Sequence, residues 1–155
     1  MKKIFLVLTF CILSTSAIFA AGIGIQAGSD VANSGNSSLD VTFKLDQYPL
    51  IFAVGIPSFD PLSIGVTGDY WIVNENISGP LNYYIGVGAF ADLYISDSYS
   101  GFDIGPRLPI GINTFFAKNV LELYLQMAPG LAINIGNGIG SDFVCPLNFG
   151  LRFWF

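Results

Sequence analysis

The sequence predicts an all-β protein, an eight-stranded antiparallel up-and-down transmembrane β-barrel. Three observations support this: few charges, no apolar run long enough for a spanning helix beyond the N-terminus, and a two-residue hydrophobic period. Of the 155 residues, 52% are hydrophobic and 11% are charged, whereas about 25% are charged in ordinary soluble domains. A soluble globule of this size needs a more charged surface. We therefore expect the apolar side chains to face a bilayer.

Spanning by a helix is excluded after the N-terminal segment. A transmembrane helix needs about 20 consecutive apolar residues, and after Ala20 Gly, Pro, Asp or Asn interrupts every apolar stretch well before that length. In lipid, only helices and closed β-barrels satisfy their own backbone polar groups. Elimination therefore predicts a closed barrel.

The N-terminus resembles a secretory signal. Two lysines precede an apolar core at residues 4–13, and small and polar residues lead to a predicted cleavage site after Ala20 or Ala21. Residues 1–20 are therefore predicted to be a cleaved signal peptide, and residues 21–155 a single barrel domain in the cell outer membrane. A retained anchor is the alternative, but the apolar core is too short to span.

Alternating hydrophobicity is clearest in residues 81–95. Odd positions there are apolar or interfacial, and even positions are glycine, polar or aromatic. A helix would distribute these side chains with a period of 3.6 residues, whereas membrane barrels alternate with a period of two. The same reading predicts eight strands, at residues 22–28, 39–45, 51–58, 62–73, 81–95, 102–116, 120–135 and 143–155.

An even number of strands places both termini at one end, the periplasmic end for this class of barrel. The opposite, external end then carries the connections at residues 29–38, 59–61, 96–101 and 136–142. Five prolines fall inside predicted strands, where each removes a ladder hydrogen bond, so we expect bulges or local loss of pairing there. They are Pro57, Pro106, Pro109, Pro129 and Pro146.

Charged side chains on the inward phase form a predicted polar network in the lumen. Its members are Asp40, Lys44, Asp69, Asp92, Arg107, Glu122 and Arg152. In a narrow barrel these charges must pair or be hydrated, because desolvating one alone is costly. Eight strands leave an interior only wide enough for side chains. Inward glycines make room for inward aromatic side chains, so we expect a filled lumen; these aromatics are Trp71, Tyr84, Phe90, Tyr124 and Trp154.

Catalysis and metal binding are not expected. The chain has no histidine, the usual base for chemistry near neutral pH, although a carboxylate base remains the alternative. No catalytic, cofactor or metal residues are predicted, acidic residues at the outer rim are read as turn residues, and Cys145 is predicted to face lipid. After residue 20, four basic side chains stand against eleven acidic ones, which argues against nucleic acid. A monomer is the default for this barrel size.

Five motifs in order carry a family resemblance. They are GDYWIVN at residues 68–74, GPLNYYIG at 79–86, GPRLPIG at 105–111, LELYLQMAP at 121–129 and FGLRFWF at 149–155. Together they resemble a family of small spirochaete outer-membrane β-barrels, similar in architecture to the OmpX and OmpA transmembrane domains, over essentially the whole of residues 21–155. The terminal aromatics Phe153 and Phe155 resemble the C-terminal signal for barrel insertion. This implies the barrel-assembly machinery as a transient partner.

Three functions are open at this point. The expected one is a small integral outer-membrane barrel with a structural or surface-interaction role, whose external loops contact a host or envelope ligand. The alternative is a narrow channel or conduit for a small solute or hydrophobic molecule. A water-soluble lipocalin-like carrier would place its apolar residues inside, and the continuous apolar face argues against it.

Overall fold

The described part of the chain forms eleven strand segments. The computed structural model describes residues 21–33, 37–59, 62–96, 99–136 and 138–155; the predicted signal peptide, residues 1–20, lies outside them. The segments are β1 (Ala21–Asp30), β2 (Ser37–Leu45), β3 (Leu50–Ile56), β4 (Ser63–Ser78), β5 (Leu81–Ser96), β6 (Tyr99–Arg107), β7 (Ile110–Phe116), β8 (Leu121–Met127), β9 (Gly130–Ile135), β10 (Ile139–Val144) and β11 (Pro146–Trp154). No helix in the described part of the chain is long and apolar enough to cross a membrane.

These segments form eight barrel strands. β6 and β7 are two halves of the sixth strand, β8 and β9 of the seventh, and β10 and β11 of the eighth, since each pair of halves contacts the same neighbouring strands. All pairings are antiparallel, and the first strand pairs with the last from Gly22 opposite Trp154 to Asp30 opposite Pro146. The predicted closed, eight-stranded antiparallel barrel is confirmed.

Apolar side chains cover the outside of this barrel, and polar or aromatic ones fill its centre. In β4, Ile64, Val66 and Tyr70 are exposed, whereas Asp69 and Trp71 are buried. Because successive side chains in a strand point to opposite faces, the two-residue period of the sequence becomes an outer apolar surface. Water would penalise such a surface, and lipid would not.

Three strand interruptions lie side by side, at residues 108–109, 128–129 and 145. Across them Gly86 N donates to Pro109 O (2.8 Å), Leu108 N to Pro129 O (2.9 Å) and Ala128 N to Pro146 O (3.0 Å). Proline has no N–H but keeps its carbonyl, so the neighbouring strand bonds that carbonyl and the barrel stays closed.

The expected loss of pairing therefore occurs at Pro109 and Pro129. Pro57 follows the end of β3, and Pro146 begins β11. Pro106 keeps its regular position opposite Ala89 in the β5–β6 ladder. On its other side the β6–β9 pairing skips Gly105 and Pro106, so the expected local loss of pairing occurs there as well.

The seam between the first and last strands is closed by Asp30. Its Oδ1 accepts hydrogen bonds from Cys145 N (3.0 Å) and Ala32 N (2.8 Å), and Val31 N donates to Cys145 O (3.0 Å). Cys145 is only 7% exposed. The prediction that it faces lipid was therefore wrong: the residue lies at the third interruption, where the regular alternation of the strand is broken.

The β4–β5 hairpin extends further than predicted at the end that carries the termini. Pairing of β4 with β3 ends at Tyr70, but β4 continues to Ser78 and stays paired with β5, with register shifts between Trp71 and Val73 and between Asn76 and Ser78. The predicted connection at residues 74–80 is therefore a two-residue turn. The Asn76 side chain stabilises it by donating to Gly79 O (2.8 Å).

Candidate functional site

Glu122 is the centre of one cluster of buried side chains in the lumen. Arg152 Nη1 and Trp154 Nε1 donate to its Oε2 at 2.7 and 2.9 Å, and Asn113 Nδ2 donates to its Oε1 at 2.7 Å. Glu122 is fully buried and Arg152 is 1% exposed. We call Lys44, Asn113, Glu122, Arg152 and Trp154 the Glu122 cluster; its hydrogen bonds offset the cost of burying these charges.

Lys44 joins this cluster from the side of the barrel end that carries the termini. Its Nζ lies 4.0 Å from Glu122 Oε1, 3.8 Å from the centre of the Trp71 ring and 5.1 Å from that of Trp154. The ammonium is therefore held by a long ion pair and by cation–π contacts.

A layer of tyrosines and amides crosses the middle of the lumen. Tyr124 Oη donates to Gln26 Oε1 (3.0 Å), Gln26 Nε2 donates to Asp40 Oδ2 (2.9 Å), and Tyr84 Oη donates to Gln126 Oε1 (3.1 Å). The Tyr84 ring stacks on Trp71 with centres 3.8 Å apart. Apart from the half-buried Asp40, these side chains are buried.

Glycine makes room for the two tyrosine rings. A Cβ added at Gly150 would lie 2.1 Å from Tyr124 Cζ, and one at Gly111 would lie 2.5 Å from Tyr84 Cζ. Each ring thus lies over a glycine of the neighbouring strand, as the inward glycines of the sequence predict.

Asp69 and Arg107 form the second buried ion pair. Arg107 Nε donates to Asp69 Oδ1 (2.8 Å) and Arg107 Nη2 donates to Asp69 Oδ2, a two-point contact that is stronger and more directional than a single bond. Gly88 of β5 is paired with Asp69 on one side and with Arg107 on the other. The ion pair therefore crosses β5 at a residue that has no side chain.

The seven predicted network residues are thus divided among several arrangements. Lys44, Glu122 and Arg152 come together, Asp69 pairs with Arg107, and Asp40 joins the middle layer through Gln26. Asp92 lies opposite Asp103 and lines a small cavity of about 90 Å³. Among the described residues it makes no ion pair within 4.0 Å.

Several neutral residues of the lumen were absent from the predicted network. They are Gln26, Thr42, Asn113 and Gln126, each at most 5% exposed. The sequence signal that identifies them is their place in the two-residue alternation: like the charged residues, they occupy positions whose side chains point inward. In the described part of the chain, no group of three His, Cys, Asp or Glu side chains is arranged to hold a metal ion.

The two terminal aromatics take different positions. Phe153 is 53% exposed on the outer face, and Phe155 exchanges backbone hydrogen bonds of 3.2 Å with Ala21. Beside them opens a cavity of about 600 Å³ at the barrel end that carries the termini. We call it the terminal vestibule; its lining includes Lys44, Tyr48, Trp71, Phe115, Trp154 and Phe155.

The barrel is similar to a solved bacterial structure, that of Neisserial surface protein A (NspA). The TM-score is 0.53 at 16% sequence identity, and the match covers 88% of this chain and 97% of the NspA chain. At this identity the likeness shows the fold. No protein family and no curated protein sequence matches the chain.

Proposed function

We propose that the protein is a small integral outer-membrane β-barrel whose filled lumen carries no flow of solutes, and that it acts through its external loops as a structural or surface-interaction protein. The observation that carries the proposal is the combination of an apolar exterior with a hydrogen-bonded interior. Both properties are reversed in a water-soluble carrier.

The exterior supports the membrane assignment. Large apolar side chains on neighbouring strands are exposed, among them Ile25 (58%), Val41 (57%), Val54 (54%) and Phe149 (57%). Contiguous apolar patches of more than a few hundred Å² are rare on soluble monomers. Likeness in fold to a protein titled a surface protein supports the same compartment, and the spirochaete resemblance of the sequence motifs stays a prediction.

The interior supports a non-conducting role. The Glu122 cluster, the tyrosine layer and the Asp69–Arg107 pair follow one another along the lumen and occupy the space that eight strands enclose. An ion crossing the barrel would have to displace several buried, charge-assisted hydrogen bonds, and each is costly to break.

The first test is refolding of residues 21–155 into detergent and then into planar bilayers. We expect faster gel migration of the unboiled protein, β-rich circular dichroism, and no reproducible conductance steps. Solubility without detergent would contradict the membrane assignment, and reproducible conductance would contradict the filled lumen.

Cell-surface labelling tests compartment and orientation together. Ile139 lies at the external end and is 85% exposed, so in a Cys145→Ser background Ile139→Cys should react with a membrane-impermeant maleimide on intact cells. Lys118→Cys at the opposite end is the matched control and should react only after lysis. Labelling of both sites, or of neither, on intact cells would contradict the proposal.

A narrow conduit is the second candidate, and one observation favours it. Cavities are present on both sides of the buried layers, the terminal vestibule on one side and the 90 Å³ cavity beside Asp92 on the other. Conduction would require the tyrosine layer to move. Conductance that rises in a Tyr124→Ala variant and is absent from the wild-type protein would favour the filled lumen over the conduit.

A further inference from the structure

The Lys44 ammonium lies at the floor of the terminal vestibule without a hydrogen-bond acceptor among the described residues. Its carboxylate neighbour, Glu122 Oε1, is 4.0 Å away and already accepts a 2.7 Å bond from Asn113. Lys44 is only 6% exposed, and an ammonium carries three donors. A buried charge with unused donors is costly unless a polar group reaches it.

Charge at this end of the lumen is also unbalanced. Lys44 and Arg152 carry two positive charges and Glu122 carries one negative charge, and Arg152 holds the other oxygen of that carboxylate at 2.7 Å. One positive charge is thus left over at the vestibule floor. Asp46 also lines the vestibule, from the exposed turn after β2, and opposes an incoming anion from the rim.

Trp71 supplies a second unused donor. It lines the terminal vestibule, is 4% exposed, and its indole Nε1 has no hydrogen-bond partner. Buried indole N–H groups normally have a partner. This indole N–H is enclosed by protein, so Lys44 is the donor that an acceptor inside the cavity can reach.

The remaining lining combines four aromatic side chains with three amides and two aliphatic residues. Tyr48, Phe115, Trp154 and Phe155 contribute apolar ring surface around the floor, and the volume of about 600 Å³ falls in the range of small-molecule sites. Apolar walls with a few convergent polar groups are typical of such sites. The mouth is formed by turns and chain ends, so it opens to water rather than to lipid.

We propose that the terminal vestibule binds a soluble amphiphilic anion, a carboxylate or phosphate joined to a short apolar body. The anionic group pairs with Lys44, and the apolar body lies against the aromatic walls. Because the Glu122 cluster closes the floor, the vestibule is a binding pocket and not the entrance of a channel.

Tryptophan fluorescence reports on this pocket directly, since both tryptophans of the chain, Trp71 and Trp154, line it. The probe is 8-bromooctanoate, whose bromine quenches tryptophan, added to the full mature chain in nanodiscs of zwitterionic lipid. We expect saturable quenching. The uncharged 8-bromooctanol lacks the anionic group and should have a higher midpoint. Inorganic phosphate lacks the apolar body and does not quench, so it is added as a competitor and should displace 8-bromooctanoate only weakly.

Two variants and one control separate binding from partitioning. Lys44→Met should raise the quenching midpoint at least tenfold, because it removes the charged partner. Asp46→Asn removes the opposing carboxylate from an exposed turn and should lower the midpoint two- to threefold, which keeps the test decisive if Lys44→Met does not fold. Asp142→Asn, the same change at the other end of the barrel, should leave it unchanged.

Three results would overturn the proposal. They are absence of saturable quenching, equal midpoints for 8-bromooctanoate and 8-bromooctanol, and a midpoint that neither Lys44→Met nor Asp46→Asn changes. Conductance and surface labelling are unaffected by these outcomes, so failure here is distinct from failure of the proposed function.

Discussion

Glu122 is a single buried carboxylate that balances positive charge inside the lumen. It is fully buried and receives bonds from Arg152, Trp154 and Asn113. Without its charge, two cations would remain in the same low-dielectric space. Removing one partner of a buried pair commonly costs about 3–5 kcal/mol, because the other charge stays buried without a partner.

We therefore expect Glu122→Gln to lower the free energy of unfolding by about 3–5 kcal/mol. Urea unfolding of the protein in detergent, followed by gel mobility, measures this change. Glu75→Gln is the matched control: Glu75 is exposed and accepts one bond from Tyr83, so its loss should cost less than about 1 kcal/mol. Equal destabilisation by the two variants would contradict the structural role of Glu122.

The Asp69–Arg107 pair is suited to a double-mutant cycle. Asp69→Asn and Arg107→Met should each cost about 3–5 kcal/mol, because each leaves a buried charge without its partner. The double variant should cost clearly less than the sum, since both charges are then gone. Strict additivity of the unfolding free energies would show that the two side chains do not form the pair.

The sequence alone predicts which charges point inward but not which of them meet. Asp69 and Arg107 belong to β4 and β6 and contact each other across Gly88. That contact depends on the relative shift of three strands, which the alternation does not encode. Asp92 has the same inward phase, yet it faces Asp103 and makes no close ion pair in the described part of the chain.

At the scale of strands, neighbouring residues are matched in size across the ladder. Tyr124 lies opposite Gly150, is 3% exposed and is held by Gln26 through its hydroxyl. A ring fixed in this way cannot move aside when the residue beneath it grows. Strand pairing here therefore depends on the absence of a side chain.

Gly150→Ala should accordingly destabilise the barrel by about 1–3 kcal/mol, the usual cost of overpacking. Gly68→Ala is the control, because a Cβ there would meet only Phe52 at an ordinary 3.6 Å. Thermal gel-shift midpoints of the two variants provide the comparison. A midpoint for Gly150→Ala no lower than that for Gly68→Ala would show that Tyr124 is not confined.

Asp30 provides a second prediction at this scale. Its carboxylate accepts the Cys145 and Ala32 amides at the seam, so Asp30→Ala should leave the part-buried Cys145 amide without its acceptor and cost about 1–3 kcal/mol. Asp30→Asn retains the Oδ1 acceptor and should cost less. Amide hydrogen exchange at Cys145 should accelerate in Asp30→Ala only; acceleration to the same degree in both variants would contradict this assignment.

Strand number and phase were predictable, whereas interruptions and ends were less so. The prolines mark positions where an N–H is missing, but the extent of the break depends on the partner strand. Pro109 and Pro129 interrupt the strand itself, whereas Pro106 stays paired with β5 and loses its pairing only on the β9 side. The polar segment Asn74–Ser78 reads as a loop in sequence. In the structure this segment belongs to β4, and the Asn76 side chain stabilises the hairpin turn that follows by donating to Gly79 O.

For the whole molecule, the distribution of polarity was predictable from composition, because a chain with 11% charged residues must turn most of its surface away from water. The vestibule was not. It lies where turns and chain ends that are distant in sequence come together, for example Tyr48 and Phe155. No local sequence pattern predicts such a contact between distant segments.

Lipids with brominated acyl chains test the polarity of the whole barrel. Both native tryptophans lie on the lumen side, so we expect little quenching of the wild-type protein in such lipids. Phe149→Trp places an indole on the outer face, where the native side chain is 57% exposed, and its emission should be strongly quenched. Strong quenching of the native pair, or none of Trp introduced at position 149, would contradict this polarity.

The pairing of β1 with β11 also has a kinetic consequence. It joins the two ends of the barrel domain through nine paired positions, from Gly22 to Asp30, whereas the other strand pairings connect segments much closer in sequence. Contacts between distant parts of a chain form late, since the chain entropy must be lost before they contribute. Until the last strand arrives, β1 and β11 present unpaired edges, which are templates for association with other chains. The time between synthesis and closure is therefore the period in which this molecule is most prone to aggregate, and shortening it is what an assembly catalyst would have to achieve.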